Sequence, residues 1–246
     1  QIKVHIVGDA PHPRENAMVI PNHQSMADVM LLLCLAWRCG RLGDMKIFVK
    51  DVIKYFPGFG WGMLFLDCIF VKRNWARDEA GIHKLFDKFK RDEIPIFLVS
   101  FLEGTRKTPD KAARARAFAE QRGLPVPEHT MVPRTKGFVA TVHGLRPHLD
   151  AIYDVTIGYH SDPAPSLVSC FEGKVDRVDM HLRRYPISEL PATDDELALW
   201  VQKRFEDKNA LLAHFKEHGR FPGEELRSHV RVSDWFRSEQ HRSAAM

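Results

Sequence analysis

Residues 17–40 read AMVIPNHQSMADVMLLLCLAWRCG. AMVIP (17–21) is a short apolar run ended by a proline, which suits the exit of a buried strand. From Ser25 the pattern changes. Ser25-Met26-Ala27-Asp28 has the form of a capping box, with Ser25 as N-cap and an acidic residue three positions on. The apolar residues that follow predict a helix to about Arg38, stopped by Gly40. A strand feeding a loop and then a helix is the repeating unit of an α/β protein.

Further units lie downstream. KIFVK (46–50) and LDCIFVKR (66–73) read as strands. Ile82, Leu85, Phe86 and Phe89 share one face of a predicted helix over 76–92. IPIFLVSFLEGTR (94–106) reads as a buried strand running into a turn, and Asp110 opens a short helix, KAARARAFAEQ, closed by Gly123. TMVP (130–133) and LDAIYDVTIGY (149–159) are predicted strands flanking a helix over 135–146, while LVSCFEGKV and VDMHLRRYPI suggest a hairpin or sheet extension. Thr193 and Glu196 form a second capping box at the head of a helix over 193–219, whose apolar stripe includes Leu197, Trp200, Val201, Leu212 and Phe215. Strands alternating with helices predict an α/β fold, with a mixed, largely parallel central sheet flanked by helices, in a single domain.

Composition narrows the class. At 246 residues the chain can bury one substantial core, and 44% hydrophobic with 28% charged residues excludes disordered and fibrous types. The net charge of +4 is dispersed, which argues against nucleic acid as a partner and permits anionic small molecules or an anionic membrane surface. Cys34, Cys39, Cys68 and Cys170 form no C-x-x-C pair and read as free thiols. The longest apolar run, VMLLLCLAW (29–37), falls well short of the roughly 20 residues that span a bilayer. The chain opens on Gln1 rather than Met, so flanking membrane anchors are expected to have been removed. YFPGFGWGMLFL (55–66) forms no helical stripe. It reads either as a contact for a bilayer or acyl chain, or as a buried glycine-rich turn.

His23 and Asp28 stand five positions apart. With 13 histidines in 246 residues, chance expects about one such match; there are two, the other being His229 and Asp234. That second pair sits in a polar segment with no buried strand leading to it and is set aside. Within one helix, five residues turn through about 500°, and two such side chains diverge. If Ser25 caps the helix, however, His23 lies in the preceding loop and Asp28 in the first turn, where the imidazole can fold over the carboxylate. That pair makes a general base with a fixed tautomer. The spacing alone leaves a plain capped helix equally open.

Three further stretches bear on the choice. Lys72 and Arg73 end one predicted strand; Glu103, Gly104, Thr105 and Arg106 follow another; Pro133, Arg134 and Lys136 follow a third. Cations at strand ends beside a His–Asp loop describe an anion-binding cleft that contains a base.

Taken together, these blocks resemble the glycerolipid, or lysophospholipid, acyltransferases. NHQSMAD (22–28) is similar to their N-H-x-x-x-x-D block, FLEGTR (101–106) to F-x-E-G-T-R, VPRTKGF (132–138) to a block built around proline, and CIFVKR (68–73) to G-x-I-F-I-x-R. In the last, Asp67 stands where many members have glycine, and Val71 replaces isoleucine. The blocks cover roughly residues 16–140. FVKRNWARDE, AIYDVTIGY and HLRRYPISELP resemble the eukaryotic 1-acylglycerol-3-phosphate and lysocardiolipin branch and extend the likeness to about 222.

The resemblance implies an acyltransferase catalytic domain over 1–222 and a polar segment over 223–246. It implies that His23 deprotonates the sn-2 hydroxyl of a lysophospholipid while Asp28 orients it. Arg106, Arg73, Lys72 and Lys136 would hold phosphate. Glu103, Gly104 and Thr105 would shape the glycerol site, with Asn22, Pro133 and Arg134 at its border. Acyl-CoA would be the co-substrate, with no cofactor or metal, and the setting a peripheral contact with the endoplasmic reticulum or another endomembrane. The first acceptor expected is 1-acyl-glycerol-3-phosphate. Lysophosphatidylinositol, lysocardiolipin, CoA-independent transacylation and a catalytically silent lipid-binding module are the alternatives.

Overall fold

The computed structural model describes residues 2–72, 75–107, 126–226 and 230–231, with isolated positions between 111 and 121. In chain order the elements are β1 (Lys3–Gly8), β2 (Ala17–Pro21), α1 (Ala27–Arg38), β3 (Met45–Lys50), α2 (Phe59–Phe65), β4 (Ile69–Val71), α3 (Trp75–Arg91), β5 (Phe97–Val99), α4 (Thr135–Leu145), β6 (Ala151–Tyr159), α5 (Leu167–Phe171), β7 (Arg177–Pro186), α6 (Asp194–His218) and β8 (Val230–Arg231).

The strands form one sheet in the order β4-β3-β5-β2-β6-β7-β1-β8. The run from β4 to β6 is parallel; β7 is antiparallel to β6, β1 parallel to β7, and β8 antiparallel to β1. Mixed, largely parallel order is what the alternating pattern predicted. β2 lies inside the sheet, with Val19 opposite Val99 on one side and Tyr153 on the other. Its carboxyl end therefore opens at the edge shared by β3, β4, β5 and β6, where open parallel sheets hold ligands.

All five residues of β2 are buried, as a strand covered on both faces requires. Alternation divides them. Ala17 and Val19 pack with Leu31, Leu32 and Leu35 of α1. Met18 and Ile20 face the other way, toward Phe86 and Phe89 of α3, Phe138 of α4, and Val201 and Phe205 of α6. The stripe foreseen on α6 is thus core, apart from its C-terminal end, where Leu212 and Phe215 join Val7 and Phe221 in a satellite cluster. The Thr193 cap forms: its side chain accepts from the Glu196 amide and bonds the Glu196 carboxylate, and Gly219 closes the helix in the left-handed conformation.

Several predicted elements differ. The strand expected over 66–73 is confined to Ile69–Val71, because α2 and its turn occupy the residues before it. TMVP (130–133) joins no strand: the Met131 amide donates to the Glu103 carboxylate instead, and Pro133 has no amide to give. LVSCF is a short helix rather than part of a hairpin, since Ser166 caps it by accepting from Ser169 N. The helix predicted after Asp110, and the His229/Asp234 pair, fall largely or wholly outside the described residues. From the polar tail, Leu226 N donates to Ile6 O, and β8 pairs with β1. No helix among the described residues is long and apolar enough to cross a membrane. All four cysteines are free; Cys39 and Cys68 are buried, and Cys34 and Cys170 partly so.

Candidate active site

The ladder between β2 and β6 ends at Pro21 opposite Val155, and a side chain continues it. Asn22 Nδ2 donates to Ile157 O at 3.0 Å while Asn22 Oδ1 accepts from Ile157 N at 2.8 Å. The amide thus imitates a strand residue and pins the start of the loop to β6. Gln24 Nε2 reaches the same carbonyl at 2.7 Å.

His23 emerges between these two clips. Its Nδ1 lies 2.9 Å from Asp28 Oδ2. Asp28 is fully buried, and its carboxylate accepts four donors: His23 Nδ1, the amides of Gln24 (2.8 Å) and Ser25 (2.9 Å), and the Tyr159 hydroxyl (2.6 Å, on Oδ1). A carboxylate so placed can only accept, so Nδ1 carries the proton and Nε2 is the basic nitrogen. Nε2 makes no hydrogen bond among the described residues, and the imidazole keeps 12% of its surface exposed. Phe101 stacks on the ring at 4.0 Å between centroids and fixes its plane.

The capping expected at Ser25 takes a different form. The helix begins at Ala27, with Met26 at the N-cap and no side-chain cap. Ser25 Oγ accepts from Ala27 N at 3.1 Å and donates to Pro165 O, so it ties the loop to the segment before α5 rather than to the third helical amide. The reciprocal half of the box survives, since Asp28 reaches back to Ser25 N. One carboxylate therefore closes the helix entrance and orients the histidine.

Glu103 lies under the loop. Its Oε2 accepts from His23 N (3.2 Å) and its Oε1 from Met131 N (3.3 Å), and the residue is buried. Burial pushes its carboxyl up to about 8, against the opposing pull of those two amides. Both oxygens are thereby committed to the protein backbone, linking the loops after β2, β5 and residue 130. Glu103 thus clamps the backbone of His23. Lys107 N donates to His23 O (3.0 Å) and Arg134 N to Leu102 O (2.8 Å), completing the join.

Gly104 turns with φ +70°, and a Cβ there would fall 2.7 Å from Arg134 Nε. Only glycine lets the Arg134 side chain lie over the turn. Arg106, Arg134 and Lys136 are exposed, and Pro133 is buried. Thr105 Oγ1 accepts from Lys111 Nζ at 2.6 Å. Lys72 stands apart: β4 is three strands from β2, about 14 Å at the usual spacing. Its amide donates to Asp78 Oδ1 and its side chain is exposed. Arg73 lies outside the described residues.

The structure adds groups that the sequence did not announce. Tyr159, at the last position of β6, holds the second oxygen of Asp28, and its hydroxyl is raised by burial and by the neighbouring carboxylate. Phe101 supports the imidazole. Behind Glu103, Lys208 of α6 is fully buried against Asp154 and donates to Val155 O at 2.7 Å. An alternating strand carries no mark of which residue meets a loop from its neighbour, and a lysine on an apolar helix face reads as a face boundary.

Comparison with known proteins agrees with this architecture. A family model described as acyltransferase matches residues 1–160, and one described as acyltransferase C-terminus matches residues 169–238. The chain is 39% identical over 203 residues to 1-acyl-sn-glycerol-3-phosphate acyltransferase 3 of Arabidopsis thaliana, covering 82% of this chain and 54% of that protein. It is 35% identical over 218 residues to the gamma form of Homo sapiens, covering 87% and 57%. The chain therefore spans about half the length of the curated relatives it matches. The crystal structure of the lysophosphatidic acid acyltransferase PlsC from Thermotoga maritima shares the fold, with TM-score 0.54, 18% identity, and coverage of 87% of this chain and 72% of that one. The chain belongs to the acyltransferase family.

Proposed function

We propose that this chain carries the catalytic domain, over residues 1–222, of an acyl-CoA-dependent enzyme that esterifies the free hydroxyl of 1-acyl-sn-glycerol-3-phosphate to give phosphatidic acid. The observation that carries the reading is the His23–Asp28 pair, with Nδ1 held at 2.9 Å, on a loop joined through Lys107 N and Arg134 N to the segments that carry exposed Arg106, Arg134 and Lys136. The names of the relatives support the choice of acceptor.

His23 Nε2 takes the proton of the sn-2 hydroxyl as its oxygen attacks the thioester carbon, and Asp28 stabilises the imidazolium. When the C–S bond breaks, the imidazolium returns the proton to the CoA thiolate, leaving ester and free thiol without a covalent enzyme intermediate. Arg106 and Lys136 hold the acceptor phosphate, joined by Arg73, with Lys72 and Arg134 at the margin. Thr105 and Gly104 border the glycerol, and Glu103 serves by positioning His23. The substrates set the enzyme at the surface of the endoplasmic reticulum or a related endomembrane.

The test is CoA-thiol release with oleoyl-CoA and a panel of lysophospholipids. Release that depends on lysophosphatidic acid is expected. No release with any acceptor, in detergent or vesicles, would refute the reading, and preference for another headgroup would move the substrate assignment. A second measurement addresses Asp28. Tyr159→Phe removes a donor from a buried charge, an interaction of about 1.5–3 kcal/mol. It is expected to lower kcat by on the order of tenfold, with the KM of both substrates unchanged. A change confined to KM would place Tyr159 outside the dyad's support.

A further inference from the structure

The crossover from β3 to β4 is neither a buried turn nor a plain connection. A 3-10 turn over Asp51–Tyr55 leads into α2. Gly60 lies so close to the Ile53 carbonyl that a Cβ could not be accommodated, and this lets the two pieces pack against each other. Ile53 and Met63 point inward, against the same core cluster as Phe101. The outward side is the reverse of what water favours. Phe65 is 90% exposed, Tyr55 71%, Phe56 70%, Val52 65% and Trp61 55%. These groups fall within 14 residues of chain, whereas soluble surfaces scatter their exposed apolar residues singly.

The surroundings identify a partner. Lys50 is exposed at the end of β3, and Lys72 is exposed at the end of β4. Lys54 bonds Asp51 at 2.6 Å and lies 5.0 Å over the Tyr55 ring. Exposed Phe flanked by Tyr, Trp and Lys is the composition that favours a lipid headgroup boundary: rings enter the acyl region, amphipathic tips stay among the headgroups, and ammonium groups meet phosphates. Position agrees with composition. Phe48–Lys50 pair in parallel with Ile69–Val71, so the crossover returns to the amino end of β4 after leaving the sheet at the carboxyl end of β3. β2 and β5 end at that same edge, and their loops carry His23 and Phe101.

We infer that the β3–β4 crossover is a membrane-docking surface, seating Tyr55, Phe56, Trp61 and Phe65 in the headgroup–acyl boundary of an anionic bilayer while Lys50 and Lys54 meet lipid phosphates. The inference rests on the lipid-acyltransferase reading for its purpose, since it brings the dyad to the surface that holds the substrate. It stands on its own as a binding surface.

The experiment is co-flotation of the purified chain with vesicles of phosphatidylcholine alone, or of phosphatidylcholine mixed with phosphatidylserine. Wild type is expected to bind the anionic vesicles. Phe56→Ser/Phe65→Ser should bind about tenfold less, and Lys50→Gln/Lys54→Gln should lose the preference for anionic lipid. Neither double variant should melt lower by more than a few degrees, because Lys50, Phe56 and Phe65 face solvent and Lys54 gives up only a partly exposed pair with Asp51. Turnover of short-chain, monomerically dissolved acyl-CoA and lysophosphatidic acid should persist in both. Wild type that floats with neither vesicle, or a Phe56/Phe65 variant that floats as well as wild type, overturns the inference. So does a dimer dissolved by the same substitutions with vesicle binding unchanged, since the patch would then face a second copy. Patch-dependent flotation without turnover of the short-chain substrates would instead retain the surface and refute the enzymatic reading.

Discussion

His23→Ala is expected to lower CoA release by about 10²–10⁴-fold, the usual contribution of a general base, while leaving the fold intact. The two effects separate because the residue does its structural work through its backbone. His23 N donates to Glu103 and His23 O accepts from Lys107, and alanine keeps both. Asp28 loses one of four donors and remains bound by Gln24 N, Ser25 N and Tyr159 Oη. Asp28→Asn should behave differently. A carboxamide can accept on one oxygen only, and its amino group would face a hydroxyl or amide that needs an acceptor. That variant is expected to lose rate and about 1–3 kcal/mol of stability together. The pair is checked by turnover and thermal unfolding on the same preparations. A His23→Ala protein with near-normal turnover would remove this histidine as the base.

The contrast shows where sequence reading succeeds here and where it stops. His23 and Asp28 were legible because the whole unit lies in one stretch: strand exit, loop and helix start are local, and local geometry brings five-apart residues together. The central strands were legible because burial on both faces leaves continuous apolar runs. The clamp under the loop was not. Glu103, Met131 and His23 come from three loops, and nothing in EGTR distinguishes a carboxylate facing a substrate from one accepting backbone amides. The helix start was misplaced by a residue or two for a similar reason, since the Ser25 hydroxyl found an acceptor in Pro165, distant in sequence. The stretch 55–66 left two readings open because glycine spacing obscured a short helix whose exposed face only the packing of Ile53 and Met63 reveals.

Lys208→Met is expected to destabilise the protein by about 3–5 kcal/mol, the usual cost of leaving one partner of a buried ion pair alone. On a domain of this size that lowers Tm by on the order of 10 °C. Lys208 reaches from α6 to Asp154 and to the Val155 carbonyl, and both Lys208 and Asp154 are buried. Burial lowers the lysine and raises the aspartate, and their mutual attraction opposes both shifts. With Met in place, Asp154 must remain charged without a partner or take up a proton. The control is Lys208→Met/Asp154→Leu, which removes both charges and should recover much of the loss, because an apolar pair of similar volume is often as stable as a buried ion pair. Thermal unfolding by calorimetry distinguishes the cases: equal losses in single and double variants would mean that packing around the lysine stem, not the ion pair, is at stake. The effect should also reach the dyad. Burial raises the Glu103 carboxyl; the Met131 and His23 amides oppose it most, and Lys208 adds a smaller pull in the same direction. Glu103 in turn holds the His23 amide. Both variants should therefore turn over more slowly than wild type well below their melting temperatures, even where the double variant has regained its stability. A double variant with full stability and full turnover would sever the link between the buried lysine and the histidine loop.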